Sequence, residues 1–154
     1  MNSFLKKFIS YCLIAFFGML TGCASDKSSF TNQPQKIFDA VNAKYPADKN
    51  TLIFVHAPEG FIAPRLANNE VEEGVDNGKV VEIMSALALK TTTIVVAGDD
   101  ESLTATTMAK ALAISKDKIS GSKAIVVGAK ETQKTLASLA AASGVALEFI
   151  DSPL

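Results

Sequence analysis

Residues 93–128 read TIVVAGDDESLTATTMAKALAISKDKISGSKAIVVG, with an apolar run at each end, TIVVAG at 93–98 and KAIVVG at 123–128. Ile94-Val95-Val96 and Ile125-Val126-Val127 are unbroken β-branched triplets. Such runs suit strands covered on both faces, whereas half-exposed strands alternate apolar and polar. Between them, Asp99-Asp100-Glu101-Ser102 offers a helix start, and a helix is expected from there to about Ile114. From Ile94 to Ile125 is 31 residues, the size of one strand, helix, strand step, and a right-handed crossover of that length makes the two strands parallel. The recurring triplet has two readings, an internal repeat or two ordinary buried strands of similar composition. Two copies are too few for a repeat architecture, so the second reading is the expectation.

The same alternation continues outward. Upstream, Val80, Met84, Leu87 and Ala88 form an apolar stripe that predicts a helix over 79–89, with Asp76 and Asn77 as candidate caps. Leu52-Ile53-Phe54-Val55 is a short strand between Asn50 and the turn-forming Ala57-Pro58-Glu59-Gly60. Pro34 suits a first helical turn, Ile37, Phe38, Val41 and Tyr45 follow at helical spacing, and Pro46 stops that helix, giving about 34–44. Downstream, a helix from about Lys130 to Ser143 ends at Gly144 and a strand runs from Val145 to Ile150. The pattern predicts a three-layer α/β domain of about four mainly parallel strands with helices on both faces, Rossmann-like or flavodoxin-like, the two triplets lying in the middle. One segment resists this scheme. His56 to Gly78 is too long for a plain strand-to-helix connection and carries an acidic cluster of Glu70, Glu72, Glu73 and Asp76, so a short helix is expected near 65–73.

Of the 154 residues, 48% are hydrophobic and 20% charged, which excludes a wholly disordered chain. Fifteen basic and sixteen acidic side chains give −1, with no basic footprint for nucleic acid.

The amino terminus has its own logic. Lys6 and Lys7 precede an apolar stretch from Phe8 to Leu20, too short to span a bilayer, and then Leu20-Thr21-Gly22-Cys23. These four residues resemble the lipobox of bacterial prolipoproteins. The resemblance implies that 1–22 is a signal peptide, that Cys23 becomes the acylated first residue of the mature chain, and that the membrane is a partner through that lipid. A single acyl chain holds only marginally; the two or three that this class carries attach lastingly. Ala24 stands where the enteric sorting rule would put Asp for inner-membrane retention, which implies the outer membrane, facing the periplasm. Residues 23–33 then form the lipidated cysteine and a polar tether, and 34–154 a single domain. Loss of Lys6 and Lys7 leaves 13 basic against 16 acidic side chains, or −3. With Cys12 removed and Cys23 acylated, the mature domain has no thiol for catalysis, redox exchange, zinc binding or an internal disulfide.

Candidate site residues fall into two groups. Ligands of open parallel sheets bind beyond the carboxyl ends of the strands, and that edge would gather His56, Asp99, Asp100, Glu101, Lys130, Glu131 and Asp151. Several carboxylates beside a lysine could hold a hard divalent cation, an arrangement loosely similar to the acidic pocket of receiver-type domains. Those domains keep an acidic pair after the first strand, where this chain has His56 and Ala57, and the simpler reading has Asp99 or Asp100 capping the next helix with Glu101 complementing its dipole. His56 is the sole histidine, able to act near neutral pH or to serve as a hydrogen-bonded strand-end residue. The second group is Phe61, Ile62, Arg65, Glu72 and Glu73, where the apolar pair either packs back onto the sheet or, with its charged rim, binds a protein partner.

No G-x-G-x-x-G follows a strand, and neither G-x-x-x-x-G-K-[ST] nor G-x-S-x-G is present. Ser115 to Lys118 matches S-x-x-K by letter alone, without an S-D-N or K-T-G companion. No catalytic set, metal site or cofactor is expected. The reading is an accessory lipoprotein acting on an envelope protein partner. Its alternatives are a small-ligand or cation-binding module at the strand-end edge and a hydrolase using His56 or the Asp99-Asp100 turn.

Overall fold

The computed structural model describes residues 33–46, 49–58 and 77–152. In chain order the elements are α1 (Gln33–Lys44), β1 (Asn50–Val55), α2 (Asn77–Leu89), β2 (Thr93–Gly98), α3 (Glu101–Ile114), β3 (Lys123–Val127), α4 (Gln133–Ser143) and β4 (Ala146–Ile150). The four strands form one parallel sheet in the order β1-β2-β3-β4, so the two Ile-Val-Val strands are the central pair. The domain is a three-layer α/β fold with helices on both faces, as the sequence pattern requires.

The layers are unequal. Ile53, Val55, Ile94, Val96, Ala124 and Val126 point to one face, where they pack with Val80, Ile83 and Leu87 of α2, Leu103, Met108 and Leu112 of α3, and Leu136 and Ala140 of α4. The opposite face, Phe54, Val95, Ala97, Ile125 and Val127, packs with Ile37 and Val41 of α1. Strands added in sequence order by crossovers of one hand put all three connecting helices on the same side. Among the described strands the order never reverses, so the crevice that a reversal opens in doubly wound sheets does not form.

The central helix α3 has almost no polar face: residues 103 to 109 are all buried. Three of them are threonines, and each hydroxyl is satisfied within the helix, Thr104 by Asp100 O, Thr106 by Ser102 O and Thr107 by Leu103 O at 2.7–2.8 Å. Alanine and threonine are small enough for α3 to lie between α2 and α4 close to the sheet, and back-bonded hydroxyls bury no unpaired donor.

Register resolves the recurring triplet. Ile94 pairs with Ala124, Val95 with Ile125 and Val96 with Val126, one residue out of step with the sequence recurrence. A shift of one residue turns a strand side chain to the other face. Ile94 therefore meets α2–α4 while Ile125 meets α1, and the likeness is one of composition, as expected for ordinary buried strands.

Element ends differ modestly from the sequence reading. α4 starts at Gln133 rather than near Lys130 because residues 130–132 form a turn in which the Thr132 N–H and hydroxyl both donate to Ala129 O, at 3.0 and 3.1 Å, and Thr132 is the N-cap. Gly144 ends α4 as expected, at φ 68° with its N–H on Ala140 O and Ala141 O. The helix expected near 65–73 lies outside the described residues. On the α1 face, the Tyr45 hydroxyl just beyond α1 donates to Glu148 of β4. That hydrogen bond, with partial burial and the carboxylate's charge, holds the phenol above its ordinary pKa of 10.0.

Candidate functional site

Parallel strands bring their carboxyl ends to one edge, and His56, Asp99 and Gly128 each follow a strand there. Asp99 extends the β1–β2 ladder, its N–H bonding Val55 O at 3.2 Å. Its carboxylate turns back over β1, where Oδ2 lies 3.2 Å from His56 Nδ1 and accepts from Ala57 N at 3.3 Å. The Asp99 side chain is 17% exposed and that of His56 73%. The imidazole leans on Phe54, ring centroids 4.9 Å apart and tilted by 55°. Asp99 thus orients the ring through Nδ1 and leaves Nε2 as the nitrogen that faces a solute.

The next two acidic residues are also committed to backbone. Asp100 is the N-cap of α3, in extended conformation, its Oδ1 accepting from Leu103 N at 2.7 Å. Glu101 reaches across to the end of β3, where Oε2 accepts from Ala129 N at 3.1 Å. Gly128 is required for that reach, because a Cβ there would stand 2.7–2.8 Å from the Glu101 side chain. Three consecutive carboxylates therefore hold three different N–H groups, of Ala57, Leu103 and Ala129, and tie the ends of β1, β2 and β3 to the start of one helix. The positive end of the helix dipole favours all three charges.

Of the two capping candidates the structure selects Asp100. Asp100→Ala is expected to cost about 0.5–2 kcal/mol and Asp100→Asn much less, since Asn caps nearly as well. Urea unfolding of both variants checks this.

Lys130 does not neutralise the acidic turn; its Nζ lies 3.7 Å from Asp151 Oδ1, with both side chains about three-quarters exposed. Such a pair contributes little to stability. Among the described residues no group of three or more His, Cys, Asp or Glu side chains is placed to hold a metal ion. The carboxylates of Asp99, Asp100 and Glu101 point to separate amides.

The sequence placed His56, Asp99 and Asp100 at one edge but missed the His56–Asp99 pairing and the Glu101 bridge to β3. The available signals were a run of three acidic residues where a cap needs one, and a glycine closing the facing strand. Cys23, Phe61, Ile62, Arg65, Glu72 and Glu73 lie outside the described residues. No family model matches the chain, and no curated protein or solved structure is found to be similar to it.

Proposed function

We propose that the chain is an outer-membrane-anchored periplasmic accessory lipoprotein that acts by binding a protein partner, in an assembly, pilotin or structural role within an envelope machine. The observation that carries this reading is the succession of Lys6-Lys7, the apolar stretch from Phe8 to Leu20, Leu20-Thr21-Gly22-Cys23 and the polar segment 24–33 ahead of a folded domain. The commitment of Asp99, Asp100 and Glu101 to backbone amides supports it, because those groups serve the fold.

Replacing the lipid-bearing atom tests the anchor. Cys23→Ser is expected to leave an uncleaved or soluble precursor that no longer partitions into detergent, and unchanged membrane fractionation would count against it. Crosslinking in intact cells tests the partner: a defined envelope protein is expected, with capture weakened by Phe61→Ala or by charge reversal at Glu72 and Glu73.

The His56–Asp99 pair favours a second reading, proton transfer at the strand-end edge as in a hydrolase. A carboxylate that fixes one imidazole nitrogen leaves the other able to take a proton from water or a hydroxyl. Under that reading an activity would be lost in both His56→Ala and Asp99→Ala with the fold retained. Under the accessory reading partner capture is unaffected by either change. A small ligand at the same edge would instead raise the melting temperature as its concentration rises above Kd.

A further inference from the structure

The opposite edge of the sheet, where strands begin and helices end, has the reverse charge. Lys49 just ahead of β1, Lys90 just past α2 and Lys123 at the start of β3 surround an open recess of about 420 Å3, with Thr91, Thr92 and Gly121 completing its wall. No acidic side chain lines it. Among the described residues, none of the three lysines takes part in an ion pair. Lys90 has φ 56°, in the left-handed region, which turns the chain off the end of α2 towards β2 beside the recess. The carboxyl end of α2 opposes an anion here, but it amounts to about half a negative charge. Three full positive charges outweigh it.

The chemistry of the wall selects among anions. Lysine acts as a compact point charge with rotatable donors, and in that form it is a common phosphate binder. Hydroxyls of Thr91 and Thr92 add neutral donors. Three ammonium groups around one recess match a multiply charged tetrahedral anion better than a single carboxylate. The recess falls within the size range of small-molecule sites, about 300–1,000 Å3. Next to it a groove of about 380 Å3 shares Thr93 and Lys123 and is walled by Lys44, Tyr45, Pro46, Ile125 and Glu148; it leaves room for an organic substituent, and its one carboxylate, Glu148, faces the Tyr45 hydroxyl.

We propose that this recess binds a phosphate group, carried by a soluble phosphate compound or by an anionic phospholipid headgroup. The inference does not depend on the lipid anchor.

The test is the rate of lysine acetylation, read residue by residue by mass spectrometry on the full chain reconstituted in phosphatidylcholine vesicles. One arm adds inorganic pyrophosphate; the other replaces part of the phosphatidylcholine with phosphatidylglycerol. Two-thirds occupancy should slow labelling of Lys49, Lys90 and Lys123 about threefold, with exposed Lys134 on α4 unchanged. Slowing with pyrophosphate identifies the soluble source, and slowing with phosphatidylglycerol the headgroup. Because all three lysines are exposed, Lys49→Gln with Lys123→Gln should leave the circular dichroism spectrum intact and abolish protection of Lys90. Unchanged rates in both arms, equal slowing at Lys134, or persistent protection of Lys90 in the double variant would overturn the proposal.

Discussion

Val95→Asp is expected to unfold the domain at neutral pH. Val95 is fully buried in β2, its backbone paired with Leu52 on one side and Ile125 on the other, and its side chain lies in the cluster formed with α1. A carboxylate in such a place loses its hydration, and burial of this kind raises carboxyl pKa values by up to about 3–5 units. At about 1.4 kcal/mol per unit, that is roughly 4–7 kcal/mol against the ionised form. Lost burial of the valine side chain adds about 1.5–3 kcal/mol. Since a domain has only about 5–15 kcal/mol of stability, the sum approaches or exceeds the whole.

The pH dependence identifies the cause. A folded-state pKa raised above the unfolded value near 4 means that the folded chain binds more protons, so the penalty grows as pH rises from about 4. The variant should therefore be relatively less destabilised near pH 3 than at pH 7. Val81 of α2, 59% exposed, provides the control, and Val81→Asp should change stability by no more than about 0.5 kcal/mol. Thermal and urea unfolding at both pH values measure all of this; a folded Val95→Asp domain of normal stability at pH 7 would mean that the α1 face of the sheet is open to water.

Gly98→Ala is expected to have the second largest effect. A methyl group at position 98 would be driven into Thr104 Oγ1 of α3 and would stand 2.5 Å from Val55 O, a backbone atom held in the β1–β2 ladder. Real Cβ atoms do not approach that closely, so β1 and α3 must separate where the Asp99 clasp and the Asp100 cap sit. Overpacking costs typically about 1–3 kcal/mol and more when backbone is the obstacle. Thr104→Ala removes one of the two obstacles. The double variant should regain part of the loss but not all, because Val55 O remains. The His56 and Ala57 amide signals should also shift in Gly98→Ala, since Asp99 is the next residue along.

The strands and the central place of the two Ile-Val-Val runs were legible because buried parallel strands announce themselves by continuous apolar runs. Thr93–Gly98 was bounded correctly by its own residues, and Gly144 marked the end of α4 through its freedom at positive φ. The face that each residue takes was not legible. The recurrence of Ile-Val-Val at 31 residues suggested equivalence, whereas the sheet pairs residues 30 apart, because register is set by how α3 and the loop before β3 span the gap between strands. The one-sided placement of α2, α3 and α4 follows from strand order, which composition does not encode. The site was half legible in the same way: local chemistry exposed the Asp100 cap, but the His56–Asp99 contact joins residues 43 apart. The lysine recess joins three connections that share nothing in sequence, and its threonines looked like ordinary loop residues.

The proposed role depends first on Cys23 being the lipid-bearing first residue of the mature protein. Tandem mass spectrometry of the chain extracted from cell membranes tests it most directly. A mature amino terminus beginning at Cys23 is expected, its sulfur carrying a diacylglyceryl group, with residues 1–22 absent. A membrane-derived chain that still begins at Met1, or one whose Cys23 carries a free thiol, would contradict it.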